Sequence, residues 1–280
     1  MNLNTKQFDA RNAYALAAMS RHAYSEADIS IPETDTHCLV VEADDCIAIV
    51  FRGTDSIRDW ITDVDFLREE LLTNRRFGRA KVHSGFLQAY QSILGALTQH
   101  LRVLADGHLA DGHQADGHQA DGHHFTKPIF VAGHSLGGAL ALLAALELER
   151  QGFEIAQVYT YGQPRLGNRA FCRFYNAALG DRTYRVVYQE DIVPRVPHLP
   201  AVTDWYRHCG TEVFIPSVNY QPGKDLWMNP PWWRVLMSDA WGIWRAFCLN
   251  NIGGALDPVR DHHVVNYCEA LAPAPNGCGE

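Results

Sequence analysis

The sequence has no run of about 18 uncharged apolar residues, so no membrane-spanning helix is expected. It has no dense cluster of lysine and arginine either, and its net charge is −8. Such a chain carries no electrostatic footprint for a phosphate backbone, which argues against nucleic acid as a partner. At the N-terminus, MNLNTKQFDARNAYALAAMSRHAY lacks a basic segment followed by a continuous apolar core. It reads as an amphipathic helix carrying Ala13, Tyr14, Ala17 and Ala18, not as a secretory leader. Cysteine is sparse as well: seven residues, at 38, 46, 172, 209, 248, 268 and 278, odd in number and without a disulfide spacing. Free or buried thiols in a reducing compartment are expected, and with them a cytoplasmic location; export without a cleaved signal is the alternative.

What is present fits one large α/β domain spanning residues 1–280, with an apolar fraction of 47%. A low-complexity insertion interrupts it at 105–124, ADGHLADGHQADGHQADGHH, which writes a five-residue unit four times. A five-residue step rotates about 140° around a helix and alternates faces along a strand, so no regular element gathers its histidines. Asp-Gly is turn chemistry, and a surface loop is expected. Loose zinc or nickel binding through its histidines and aspartates is the competing reading.

Around the insertion, strands and helices alternate. THCLVVEADDCIAIVFRG reads as two strands about a turn at Asp44-Asp45. Ser84 is placed as the cap of a long helix with apolar residues from Phe86 to Leu104 near the helical period. KPIFVAG is a strand, LGGALALLAALELERQG a helix closed by Gly152, and QVYTYG a strand. A helix near 168–178, the strand TYRVVYQ, one or two strands in WYRHCGTEVFI and a final helix in HVVNYCEAL complete the order. This alternation predicts a mostly parallel sheet with helices on both faces.

Chemistry concentrates at FVAGHSLGGALALL. Gly133-His134-Ser135-Leu136-Gly137 matches G-x-S-x-G, and it lies between a predicted strand and a predicted helix, which is the context that gives the pattern meaning. The turn is tight, so the positions two before and two after the serine must be small. The Ser135 hydroxyl then projects above the sheet, and the Leu136 N–H at the helix start faces the same space and can stabilise an oxyanion. A serine hydroxyl needs a base, and the base needs an orienting carboxylate. Glu190 and Asp191 follow a predicted strand, with Asp191 preferred for the acid. His262 and His263 at the start of the last helix are both candidates for the base. His134 is read as a packed turn residue; His83 and His198 are read as structural, and His208 as part of a strand.

Beyond the elbow, IVFRGTDSIRDWITDVDF (49–66), KVHSGFLQAY (81–90), YTYGQPRLGN (159–168), EDIVPRVP (190–197) and RDHHVVNY (260–267) join GHSLGGALALL in one order. Together they resemble the class 3 lipases, the fungal-lipase-like branch of the α/β-hydrolases. The resemblance implies an α/β-hydrolase fold with a short helical lid, and no cofactor. It implies Ser135 as nucleophile, Asp191 as acid and His262 as base, with His263 as the alternative. It assigns Thr54 and Leu136 to the oxyanion hole, the Thr54 hydroxyl serving as a further donor, and Asp55–Asp63 to a lid whose oily face carries Ile57, Trp60 and Ile61.

Six of the seven tryptophans lie at 205, 227, 232, 233, 241 and 244. Trp233, Leu236, Met237, Trp241 and Trp244 share the spacing of one helix face, either packed on the core or serving as a second apolar flap at a lipid surface. The expected activity is a serine carboxylic-ester hydrolase acting on lipid esters. Phospholipase A1 or a small-ester esterase with the same triad is the alternative; a non-enzymatic metal- or membrane-binding protein on the same fold is the remote one.

Overall fold

The computed structural model describes residues 1–3, 7–54, 68–110, 127–189, 191–196, 206–216, 227–228 and 260–273. The first helix, α1 (Ala10–His22), starts where the Asp9 carboxylate accepts from the Arg11 and Asn12 amides. This satisfies donors that the first turn leaves orphaned. Three strands follow, β1 (Ile29–Ile31), β2 (Thr36–Glu42) and β3 (Ile47–Phe51). A hairpin of β4 (Arg68–Asn74) and β5 (Gly78–His83) forms a separate two-stranded sheet. Then come α2 (Ser84–Ala110), β6 (Ile129–His134), α3 (Leu136–Arg150), β7 (Ile155–Tyr161), α4 (Arg169–Leu179) and β8 (Thr183–Tyr188). The described elements end with β9 (Thr211–Ile215), β10 (Trp227–Met228) and α5 (Val264–Leu271).

The main sheet runs β1-β2-β3-β6-β7-β8-β9-β10. Its centre is parallel from β3 to β9, and its outer pairs are antiparallel. Every residue of β3, β6 and β8 is buried, as expected of strands covered on both faces. Alternation along β3 divides the core. Ile47, Ile49 and Phe51 join the cluster under α2, α3 and α4, whereas Ala48 and Val50 join the one under α1 and α5. The predicted architecture of helices on both faces of a mostly parallel sheet is the one observed.

Two local expectations change. Ser84 is the first residue of α2 rather than its cap, and α2 continues to Ala110, through the first residues of the repeat. Extending an existing helix adds one hydrogen bond per residue without a new nucleus, which outweighs the turn preference of a single Asp-Gly. The remainder of the repeat lies outside the described residues. His208 precedes β9 instead of lying within it, and its Nε2 sits 2.6 Å from the Pro194 carbonyl oxygen. The hairpin β4–β5 had no counterpart in the sequence reading. Its signal is the turn itself, where the Asn74 side chain accepts from the Arg76 and Phe77 amides and Gly78 takes φ 86. The five described cysteines, Cys38, Cys46, Cys172, Cys209 and Cys268, are buried free thiols. No helix among the described residues is long and apolar enough to cross a membrane.

Candidate active site

Ser135 sits between β6 and α3 with φ 58 and ψ −128, a left-handed conformation rare for a residue with a Cβ. Two glycines make that turn. A Cβ on Gly133 would stand 2.2 Å from the Gly137 oxygen, and one on Gly137 would stand 2.2 Å from the Phe51 oxygen. The first contact closes the elbow; the second lets α3 approach the end of β3. The small residues demanded on either side of the serine are therefore required by backbone contact. The Ser135 amide donates to the Tyr161 carbonyl at 2.8 Å, which ties the elbow to the end of β7.

The next residue after that strand end carries the elbow to the second part of the site. Gly162 has φ 60, and a Cβ there would lie 2.7 Å from Asp191 Oδ2 and 2.8 Å from His262 Nδ1. Asp191 and His262 meet in this space. His262 Nδ1 lies 3.0 Å and 2.9 Å from the two Asp191 oxygens. Both side chains are buried, Asp191 completely. A buried carboxylate must be satisfied by donors. Besides the imidazole, Asp191 accepts from the Val193 amide at 2.9 Å and from the Tyr267 hydroxyl. Burial, and then the facing Asp191 charge, raise the Tyr267 phenol well above its usual range, so it stays a neutral donor.

With Nδ1 committed to Asp191, His262 Nε2 is left as the atom able to take a proton. Neither Nε2 nor the Ser135 Oγ has a hydrogen-bond partner among the described residues, although both are buried. His263, the other histidine of the pair, is exposed and precedes α5 as its cap residue. Glu190 lies outside the described residues. So does the segment 55–67, with Ile57, Trp60 and Ile61, and so do the tryptophans other than Trp227. Thr54 follows Gly53, whose Cβ position would be 2.9 Å from Ser135 Cβ, so the end of the Phe51–Thr54 stretch abuts the serine. Leu136 opens α3 directly after it. Among the described residues no three His, Cys, Asp or Glu side chains gather in a way that could hold a metal ion.

Two residues near the serine carry weight that the sequence reading did not give them. Gly162 was legible only as part of YTYGQPRLGN; its contact with the acid and the histidine is tertiary. Gly162→Ala is expected to displace that pair and lower kcat about 100-fold, since misplacing a reacting group by 1 Å costs that order of rate. Steady-state kinetics beside a thermal melt would check it. His134 is buried, its ring 4.5 Å from that of His262. Burial, and then the neighbouring His262, hold its pKa well below the ordinary histidine range. The unfolded chain therefore binds a proton below pH ~6.5 that the fold refuses, so stability falls with falling pH by about 1.4 kcal/mol per unit in that window. Denaturant melts of the wild type and His134→Gln from pH 7.5 to 5 should show the wild type losing ground on the variant at this slope.

The model of the family described as Lipase (class 3) matches residues 48–200. The chain belongs to the class 3 lipase family. The matched span of this class 3 lipase holds Thr54, Ser135, Gly162 and Asp191, and His262 lies beyond it. A lipase from Rhizomucor miehei is 34% identical over 206 residues, covering 69% of this chain and 50% of that protein. The secreted mono- and diacylglycerol lipase 1 of Fusarium solani is 33% identical over 169 residues, covering 60% and 44%. The chain thus spans about half the length of the curated relatives it matches. The solved structure of the Rhizomucor miehei triacylglyceride lipase superposes with a TM-score of 0.58 at 28% identity, over 74% of this chain and 80% of that one. The fold of this class 3 lipase is accordingly the α/β-hydrolase fold. The expected cytoplasmic location is overturned by the same comparison, because a relative as similar as the Fusarium enzyme is a secreted one. Free thiols and an unremarkable N-terminus were a weak basis for a compartment: buried cysteines report packing as much as redox environment.

Proposed function

We propose that this class 3 lipase is a carboxylic-ester hydrolase acting on lipid esters, with Ser135, His262 and Asp191 as its triad. The observation that carries this reading is the buried Asp191–His262 pair packed on Gly162, beside the serine elbow. In the reaction, Ser135 Oγ attacks the ester carbonyl while His262 Nε2 takes its proton. Asp191 keeps the Nδ1–H tautomer in place and stabilises the imidazolium that forms. The backbone N–H groups of Thr54 and Leu136 receive the oxyanion, and the Thr54 hydroxyl is a third donor. The alcohol leaves with the proton held by His262, and water then hydrolyses the acyl-enzyme by the same route in reverse. No cofactor enters any step.

The names of the solved Rhizomucor triacylglyceride lipase and of the Fusarium relative support acylglycerols as the substrate class and, for the latter, a site of action outside the cell. Ile57, Trp60 and Ile61, spaced on one helical face, are the residues this reading assigns to a lid that covers the site in water and meets the lipid surface when open. The reading is tested with a p-nitrophenyl ester series from short to long acyl chains, together with a fluorophosphonate probe. Hydrolysis that rises with chain length, and probe attached to Ser135 by mass spectrometry, are expected. Cleavage confined to the shortest esters would replace the lipid assignment with a small-ester esterase. No turnover and no labelling would overturn the enzyme reading.

A further inference from the structure

The His134 ring is enclosed by two hydrogen-bonding partners, of which the acceptor-only one decides where its proton sits. Its Nε2 lies 2.6 Å from the main-chain carbonyl oxygen of His262, and its Nδ1 lies 2.8 Å from the Tyr24 hydroxyl. A carbonyl can only accept, so Nε2 must carry the hydrogen. Nδ1 is then a lone pair, and the Tyr24 hydroxyl donates to it. The ring is buried between Tyr24 and Tyr267, both edge-on with centroids 5.9 Å away, and it lies against the His262 ring at 4.5 Å and 31°. Tyr24 in turn reaches the segment leading to Thr54, since a Cβ on Gly53 would come within 2.4 Å of its hydroxyl.

This arrangement has a consequence for the triad proposed above, on which the inference rests. The Asp191 carboxylate holds the His262 ring at its Nδ1 edge, and the position of the ring's backbone is set separately. The His262 carbonyl belongs to the 3-10 turn Arg260–His262 that presents the ring. Its acceptor is filled by the residue immediately before Ser135 in the chain. The nucleophile and the backbone of the base are therefore spaced from one another through a single dipeptide, His134-Ser135.

We infer that His134, fixed as its Nε2–H tautomer by the His262 carbonyl and anchored at Nδ1 by the Tyr24 hydroxyl, is a positioning residue that holds the His262 backbone, and with it the base, in register with Ser135. His134 transfers no proton in turnover; it gives one fixed donor and a neutral ring surface for the imidazolium that forms on His262.

The test compares Tyr24→Phe, His134→Gln and His134→Leu in the full chain. Glutamine can still donate to the His262 carbonyl; leucine cannot. With p-nitrophenyl esters, His134→Leu is expected to lose about 100-fold in kcat with KM changed by less than about twofold, the size of a small misplacement of reacting groups. His134→Gln is expected to fall only a few-fold, and Tyr24→Phe to lie between. Equal losses in the glutamine and leucine variants, with both folded by circular dichroism, would overturn the inference, as would unchanged kcat in all three. A second readout needs no activity. In protein carrying nitrogen-15 histidine, long-range nitrogen–proton spectra should show His134 as the pure Nε2–H tautomer in the wild type and in Tyr24→Phe alike. A Nδ1–H tautomer in the wild type would overturn the inference. Absence of ester hydrolysis beside the expected spectra would instead strike the proposed function and leave the tautomer assignment standing.

Discussion

Ser135→Ala is expected to lower kcat on the best p-nitrophenyl ester by about 10⁴-fold or more, to the level left by substrate binding and the oxyanion donors alone. The size of the loss follows from the chemistry. The stretch Gly133–Gly137 holds no other hydroxyl-bearing residue, and water activated by His262 lacks the positioning that covalent attachment provides. Stability should hardly move, because Ser135 Oγ has no hydrogen-bond partner among the described residues. The backbone strain at φ 58 also persists, since alanine has a Cβ as well. Ser135→Gly separates the two contributions. It is equally inactive, yet it removes the Cβ from a backbone conformation that costs on the order of 1–3 kcal/mol, so it should melt above Ser135→Ala. Single-turnover kinetics and thermal unfolding of both variants measure this. A glycine variant no more stable than the alanine one would mean that the elbow is not strained.

Asp191→Asn is expected to lower kcat by about 10⁴-fold while leaving KM near its wild-type value. The carboxylate accepts from His262 Nδ1, from the Val193 amide and from the Tyr267 hydroxyl. Asparagine has only one acceptor oxygen for these three donors. If its amide group turns toward Nδ1, the imidazole must carry its hydrogen on Nε2, the atom that has to accept from Ser135. If it turns the other way, a donor faces the Tyr267 hydroxyl or the Val193 amide in a fully buried site. Either orientation also removes the negative charge that stabilises the imidazolium. A fall of only a few-fold would shift the acid role away from Asp191 and toward the neighbouring Glu190.

The parts of the site contained in short stretches of chain were legible before any coordinates. GHSLG is bounded by a strand and a helix of its own making, and the size limit on Gly133 follows from a turn that five residues close among themselves, whereas the limit on Gly137 comes from the Phe51 backbone at the end of β3. The helices and central strands were legible for a similar reason: their periodicity is a local property, and the buried parallel strands read as continuous apolar runs. The hairpin β4–β5 escaped because its strands carry charges on both sides of a turn and show no clean alternation. The end of α2 escaped because continuing a helix outweighs what Asp-Gly prefers in isolation.

Short stretches of chain were enough to establish a strand–serine–helix elbow, an acid and a histidine candidate following it in order, and the likeness to the class 3 lipases. That His262 meets Asp191 while its neighbour His263 faces solvent is visible in the folded chain alone. The resemblance already preferred His262, which directly follows Asp261, but left His263 as the alternative; His262 and its partner Asp191 are 71 residues apart, so the meeting itself is a tertiary fact. The roles of Gly162, Tyr267, Tyr24 and His134 are of the same kind. Each depends on which atoms the folded sheet brings within hydrogen-bond or van der Waals reach, a relation between strand ends that neighbour in space and not in sequence.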